Sequence, residues 1–226
     1  MRKESKTNNM NLKVDNMKIT GTVKNNPEFS HEADGKKFYM MTVLVKRLSD
    51  YVDEVPVILP EELLDSNKDY AGSRVRVKGD LRSKSTFDEN KVHHLSVFMF
   101  AKTLLPAGEE DPDENRVFLN GFLCKKPNYR ETMSGRQVSD LFIAVNVGAN
   151  RSFYIPSICW NENAVRSQDM KVGDHVKLSG RLQSRVYKKQ IDENTVEERV
   201  AIELSISHIN VENETDDTAK ETKIAG

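Results

Sequence analysis

The chain has 226 residues, of which 37% are hydrophobic and 31% charged, and its formal net charge is −1. So high a charged fraction against so little apolar content points away from one large core and toward small domains with solvated tails. A near-neutral total requires any nucleic-acid site to be a local basic surface set against acidic segments.

Residues 1–15 are polar and read as a disordered tail. A first domain is expected over 16–105. Its opening strand runs from Met17 to Val23, and a loop punctuated by Pro27 and Gly35 leads to a strand carrying Val43 and Val45. The X-Pro-X-Ile strand Val55-Pro56-Val57-Ile58 follows, and Pro60-Glu61-Glu62-Leu63-Leu64 reads as a short helix with proline at its first position. Next comes a strand with Val75, Val77 and Leu81 on one face and Arg74, Arg76, Lys78 and Arg82 on the other. The last strand, Val97-Phe98-Met99-Phe100, is apolar on both faces and so needs cover on both. Phe98 and Phe100 are therefore expected at an interface with another barrel, from this chain or a partner.

Pro106 to Glu114 is an acidic Pro/Gly linker, and the same grammar then repeats over 115–211. At an offset of 100 the matches include Gly21 with Gly121, Pro27 with Pro127, Gly35 with Gly135, Pro56 with Pro156 and Ile58 with Ile158. After one inserted residue the offset is 101, matching Gly72 with Gly173, Gly79 with Gly180 and Ser83 with Ser184. Asn161 is placed to cap the short helix of this copy. Residues 212–226 are acid-rich and read as a second disordered tail. The expected fold is all-β: two tandem OB-folds, each a five-stranded Greek-key barrel with one short helix between strands 3 and 4.

The second copy resembles the bacterial single-stranded DNA-binding proteins. The likeness rests on Asn115-Arg116-Val117, Gly121, Pro127, Ser134-Gly135, Ala144-Val145-Asn146, Tyr154-Ile155-Pro156, Trp160, the run Gly180 to Arg185, and Tyr187. The first copy shares mainly the framework of Gly21, Pro27, Gly35, Val55-Pro56-Val57 and Gly79. The resemblance implies a non-catalytic protein that coats single strands in replication, repair, recombination or conjugative transfer, with bases on aromatics and phosphates on Lys and Arg. It also implies a homodimer, since members commonly gather four OB-folds, and contacts with replication or conjugation proteins. Two departures stand out: Glu131 occupies a position that is usually aromatic, and the chain ends in Lys223-Ile224-Ala225-Gly226, not in the family's docking sequence. A protein-interaction component of a primosome or conjugation complex, or a single-stranded RNA binder, are the competing readings.

Tyr154 and Trp160 are expected to stack bases, each worth ~1–3 kcal/mol; the alternative for Trp160 is the barrel core or an oligomer interface. Tyr187 and Lys188 begin a projecting hairpin that either grips DNA or is a solvated loop. Arg74, Arg76, Lys78 and Arg82, with Lys177, Arg181 and Arg185, either meet phosphates or keep half-exposed strands soluble. Arg116, Lys125, Lys126 and Arg130 add positive charge to the second copy.

No metal, cofactor or catalytic residue is expected. Cys124 and Cys159 form no CxxC, His93 and His94 point to opposite faces of a strand, and no nucleophile elbow or phosphate loop is present. No run reaches the ~18 apolar residues of a membrane span, so the expected location is the cytoplasm.

Overall fold

The computed structural model describes residues 16–49, 51–89, 91–147, 151–190 and 195–212. The tail expected at 1–15 lies outside them, as does that expected at 212–226 apart from Glu212, which is paired in the last strand. Six strands precede the junction: β1 Asn16–Val23, β2 Glu28–Ala33, β3 Lys36–Lys46, β4 Val52–Pro60, β5 Arg74–Phe87 and β6 His93–Pro106. Six follow it: β7 Glu114–Leu123, β8 Asn128–Glu131, β9 Gln137–Asn146, β10 Ser152–Trp160, β11 His175–Gln190 and β12 Val196–Glu212.

Each half closes on itself in the same way. β1 pairs with β5 and β3, and β4 runs parallel to β6; correspondingly β7 pairs with β11 and β9, and β10 runs parallel to β12. That connectivity is the OB barrel. Burial alternates as the strands require, with Val75, Val77 and Leu81 inside β5, and Ile155, Ser157 and Cys159 inside β10. Gly79 and Gly180 sit where the barrel wall is tightest. A Cβ would lie 2.0 Å from the carbonyl oxygen of Phe100 at the first and 2.1 Å from that of Ser205 at the second.

Two details differ from expectation. Each half has the five expected barrel strands and a sixth outside the ring, because the first loop folds back as β2 or β8. Asp34 and Gly35, at φ 51° and 71°, form the two-residue turn of the β2–β3 hairpin, which is the Asp-Gly signal for a type I′ turn. The first helix is also shorter than expected, and the second lacks the side-chain cap expected of Asn161. The first is a single 3₁₀ turn at Glu61–Leu63 with Pro60 ahead of it, not within it. The second, α1 at Glu162–Arg166, continues into a 3₁₀ turn at Ser167–Asp169, and Asn161 precedes it at φ 52° without a side-chain cap bond.

The halves join through β1 and β7, which pair antiparallel: Met17 faces Val117, Lys18 faces Arg116 and Ile19 faces Asn115. Met17 thus meets its own equivalent 100 residues on, so a local two-fold axis passes between them. The connection between the halves is not a solvated spacer. Asp113 accepts from the Lys46 backbone N–H at 2.6 Å and from Arg74 at 2.8 Å, and Asp111 holds Arg76 at 3.1 Å.

Candidate nucleic-acid interface

The outward face of β9 and β10 carries the aromatic surface of the second half. Phe142 and Tyr154 stack with ring centroids 5.9 Å apart and planes 10° from parallel, and the Lys125 Nζ lies 4.6 Å from the centroid of the Phe142 ring. Tyr154 is 43% exposed. Beside this pair is a cavity of about 390 Å³ lined by Lys125, Lys126, Arg130, Phe142, Pro156 and Arg185. Two acids temper its charge: Asp140 pairs with Arg130 at 2.5 Å, and Glu203 pairs with Arg185 at 3.4 Å. No ion pair involves Lys125 or Lys126 among the described residues.

Trp160 is half-buried at the end of β10, opposite Val138. Ile158, on the same face of the strand, is buried, whereas Tyr154 and Trp160 on either side of it are not. The face is therefore closed at its middle and open toward both ends. Tyr187 lies on the long β11–β12 hairpin, which stays paired out to Gln190 and Val196, and Arg185 approaches its ring at 5.6 Å. Lys188 is on the same hairpin opposite Glu198, with its side chain outside the described residues.

The basic residues of β5 and its neighbours divide between two places. β5 pairs with β1 from Arg74 to Asp80 and only with β6 beyond it. Arg74, Arg76 and Lys78 thus lie on the central sheet with Arg116 of β7 and Lys177 of β11. Most of these meet acids: Arg74 with Asp113, Arg76 with Asp111, Arg116 with Glu114, and Lys177 with Glu212. The Lys177 ammonium holds the Glu212 carboxyl below its ordinary range. Arg181 turns toward buried Asp53 of the other half, at 3.8 Å. Asp53 also accepts two bonds from Arg47, which raise that guanidinium's pKa, while burial and the Arg47 charge lower that of Arg181.

Arg82 lies past the point where β5 leaves β1, at a second cavity of about 1050 Å³ between the halves. Phe98 and Phe100 line it as well, together with Phe153 and Tyr187 of the second half. The two phenylalanines therefore face a groove within the chain.

Phe142 is the aromatic of this face that strand alternation does not single out. Its neighbours Leu141, Ile143 and Val145 read as core, and an outward ring between them, one strand away from Tyr154, is the signal that the sequence offers. Cys159 is fully buried, donates to the Ser139 carbonyl at 3.7 Å, and has its thiol pKa pushed up to about 11 by burial.

Barrel topology and an outward aromatic and basic face define an OB-fold protein with the makings of a stacking surface. Residues 114–217, the second half of the chain, match the Single-strand binding protein family. Among solved structures, the wild-type single-stranded DNA binding protein from Thermus aquaticus covers 88% of this chain and 93% of its own at 19% identity, with a TM-score of 0.71. A deletion mutant of that protein covers 88% and 95% at 20% identity, with a TM-score of 0.68. At such identity the likeness is one of fold. No curated protein matches the sequence.

Proposed function

We propose that the chain binds single-stranded DNA without strong sequence preference and without catalysis, coating strands exposed in replication, repair, recombination or conjugative transfer. The carrying observation is the Phe142–Tyr154 stack beneath Lys125 on the outward face of the second barrel. Every base has a π-face, so a flat aromatic pair beside lysines takes any sequence, while phosphate contacts make the binding salt-dependent.

The same reading includes a homodimer that brings four barrels together. The open face of the central sheet supports it, since β7 presents Phe118 at 49% and Phe122 at 38% exposure there, an apolar patch among paired charges.

The test is a titration with a thymidine oligonucleotide, following the emission of Trp160 at two salt concentrations. Quenching with a steep salt dependence is expected, and Tyr154→Ala or Phe142→Ala should each cost ~1–3 kcal/mol of binding. Unchanged emission with no mobility shift sinks the reading. A monomer mass in solution sinks the dimer alone.

A further inference from the structure

We propose that the first half carries a base-binding surface of its own, built from Phe38, Phe100 and Arg82, which continues the path of a single strand through the cavity between the halves. The proposal rests on the single-strand reading above.

Equivalent rungs of the two barrels locate it. In the second half Trp160 of β10 faces Val138 of β9; in the first, Pro60 of β4 faces Phe38 of β3. The rung keeps one aromatic in each half but on opposite strands. The next strand follows the same logic. Ile58 aligns with Phe100 in the parallel β4–β6 pairing, and Ile158 aligns with Ser205 in β10–β12. The first barrel thus has two aromatics where the second has Val138 and Ser205, and they lie on the face over its second and third barrel strands, the face by which OB-folds take oligonucleotides.

These rings form a continuous column. His31 stacks on Phe38 at 4.9 Å and 17°, Phe38 meets Phe100 at 5.7 Å, and the Arg82 guanidinium sits 3.7 Å from the Phe100 centroid and 5.8 Å from that of Phe153 in the other half. The column ends at Phe153, and Pro156 and Glu203 line both this cavity and the smaller one beside Phe142, so a strand leaving the second half's aromatic face reaches the Arg82 cavity next.

Arg82 is held in an incomplete hydrogen-bonding state. Its Nε is buried without a partner, and its contact to Asp80 is long, at 3.4 Å. The Asp80 carboxylate is committed to Lys102 at 2.6 Å, because a bulge opposite Lys78 and Gly79 aims Lys102 at it. Burial, and the charge of Arg151 across the cavity, lower the Arg82 pKa. A desolvated guanidinium short of acceptors, with Lys84 and Arg151 on the same walls, favours a phosphate or a base carbonyl. At about 1050 Å³ the cavity is at the upper end of the ~300–1,000 Å³ usual for ligand clefts, enough for a short run of nucleotides.

The experiment uses the full chain with short and long thymidine oligonucleotides carrying 5-iodo-deoxyuridine. After irradiation, the long oligonucleotide should cross-link to peptides containing Phe38 or Phe100 as well as to the β9–β10 region. Arg82→Gln, which installs the residue that the second half has at this register, and Phe38→Leu should each weaken the long oligonucleotide about tenfold. Both should leave the short one's quenching of Trp160 unchanged. Cross-links confined to the second half, with both variants binding the long oligonucleotide as the wild type does, overturn this proposal and spare the general one. Absence of binding at either length overturns both. Should Arg82→Gln fail to fold, Phe38→Leu and the wild-type cross-links decide.

Discussion

The backbone N–H of Tyr154 donates to the hydroxyl of Ser83 at 2.9 Å, across the junction between the halves. The reciprocal contact is also made, from the Glu54 N–H to the hydroxyl of Ser184 at 3.0 Å. Tyr154 is the equivalent of Glu54 and Ser184 that of Ser83, so the two bonds are mates about the axis between Met17 and Val117. One of them fixes the backbone of the principal stacking residue to the neighbouring barrel.

Ser83→Ala and Ser184→Ala should each cost ~0.5–1.5 kcal/mol, since each leaves one backbone donor without its acceptor. The two losses should add in the double variant, the sites being separate and without shared partners. Urea denaturation measures this. A silent Ser83→Ala would mean that the Tyr154 contact contributes nothing to the junction.

Asp53 is a harder loss. Its carboxylate is buried and meets Arg47, Arg181 and the Ser184 backbone N–H together. Asp53→Ala leaves two partly exposed guanidinium groups without their counter-charge. The expected destabilisation is about 2–3 kcal/mol, below the full range for a deeply buried pair because both arginines keep contact with solvent. Thermal melting should register it as a fall of several degrees, and a fall within error would show the cluster to be dispensable.

DNA binding should separate the two sets of basic residues. Arg74→Gln with Arg76→Gln removes charges already matched by Asp113 and Asp111, so affinity should stay within about twofold while stability drops. Lys125→Gln with Arg185→Gln removes charges on the aromatic face, and the slope of log affinity against log salt should become shallower by about one for each phosphate that is no longer neutralised. Equal effects from the two pairs would refute this division of labour.

Cys159 supplies a pH signature. Burial raises its thiol pKa from the ordinary 9.0 to about 11, so the folded chain keeps the proton longer than the unfolded one. The corresponding stability is fully present below pH 9 and is lost as pH rises toward 11. At a pH of about 8, below the ordinary thiol pKa, a thiol reagent should label half-buried Cys124 in the native chain and reach Cys159 only on unfolding. Labelling of both at the same rate would contradict the burial of Cys159.

Much of the barrel is legible because strand alternation and the repeated Gly and Pro positions are local marks of sheet geometry. The two-residue turn at Asp34-Gly35 is legible too, yet Pro27 and Gly35 on either side of β2 also punctuate a loop, and that reading hides the strand. The site is harder. Tyr154, Trp160 and Tyr187 stand out as strand aromatics within one copy of the repeat, whereas Phe38 replaces Trp160 from the neighbouring strand, a substitution visible only once β3 and β4 are paired. Arg74 and Arg76 look free in the sequence because Asp111 and Asp113 lie more than thirty positions away. Alternation shows which way a side chain points from its strand, not what the chain folds back to meet it.

Were the barrels separate molecules, the β1–β7 junction would come apart whenever concentration fell below its dissociation constant. A connection as short as 106–114 holds the partners at an effective concentration of ~mM or above, whatever the amount of protein present. The Tyr154 face and the Arg82 cavity should therefore stay adjacent at high dilution, and spread along a strand as a fixed unit rather than as two independently arriving pieces.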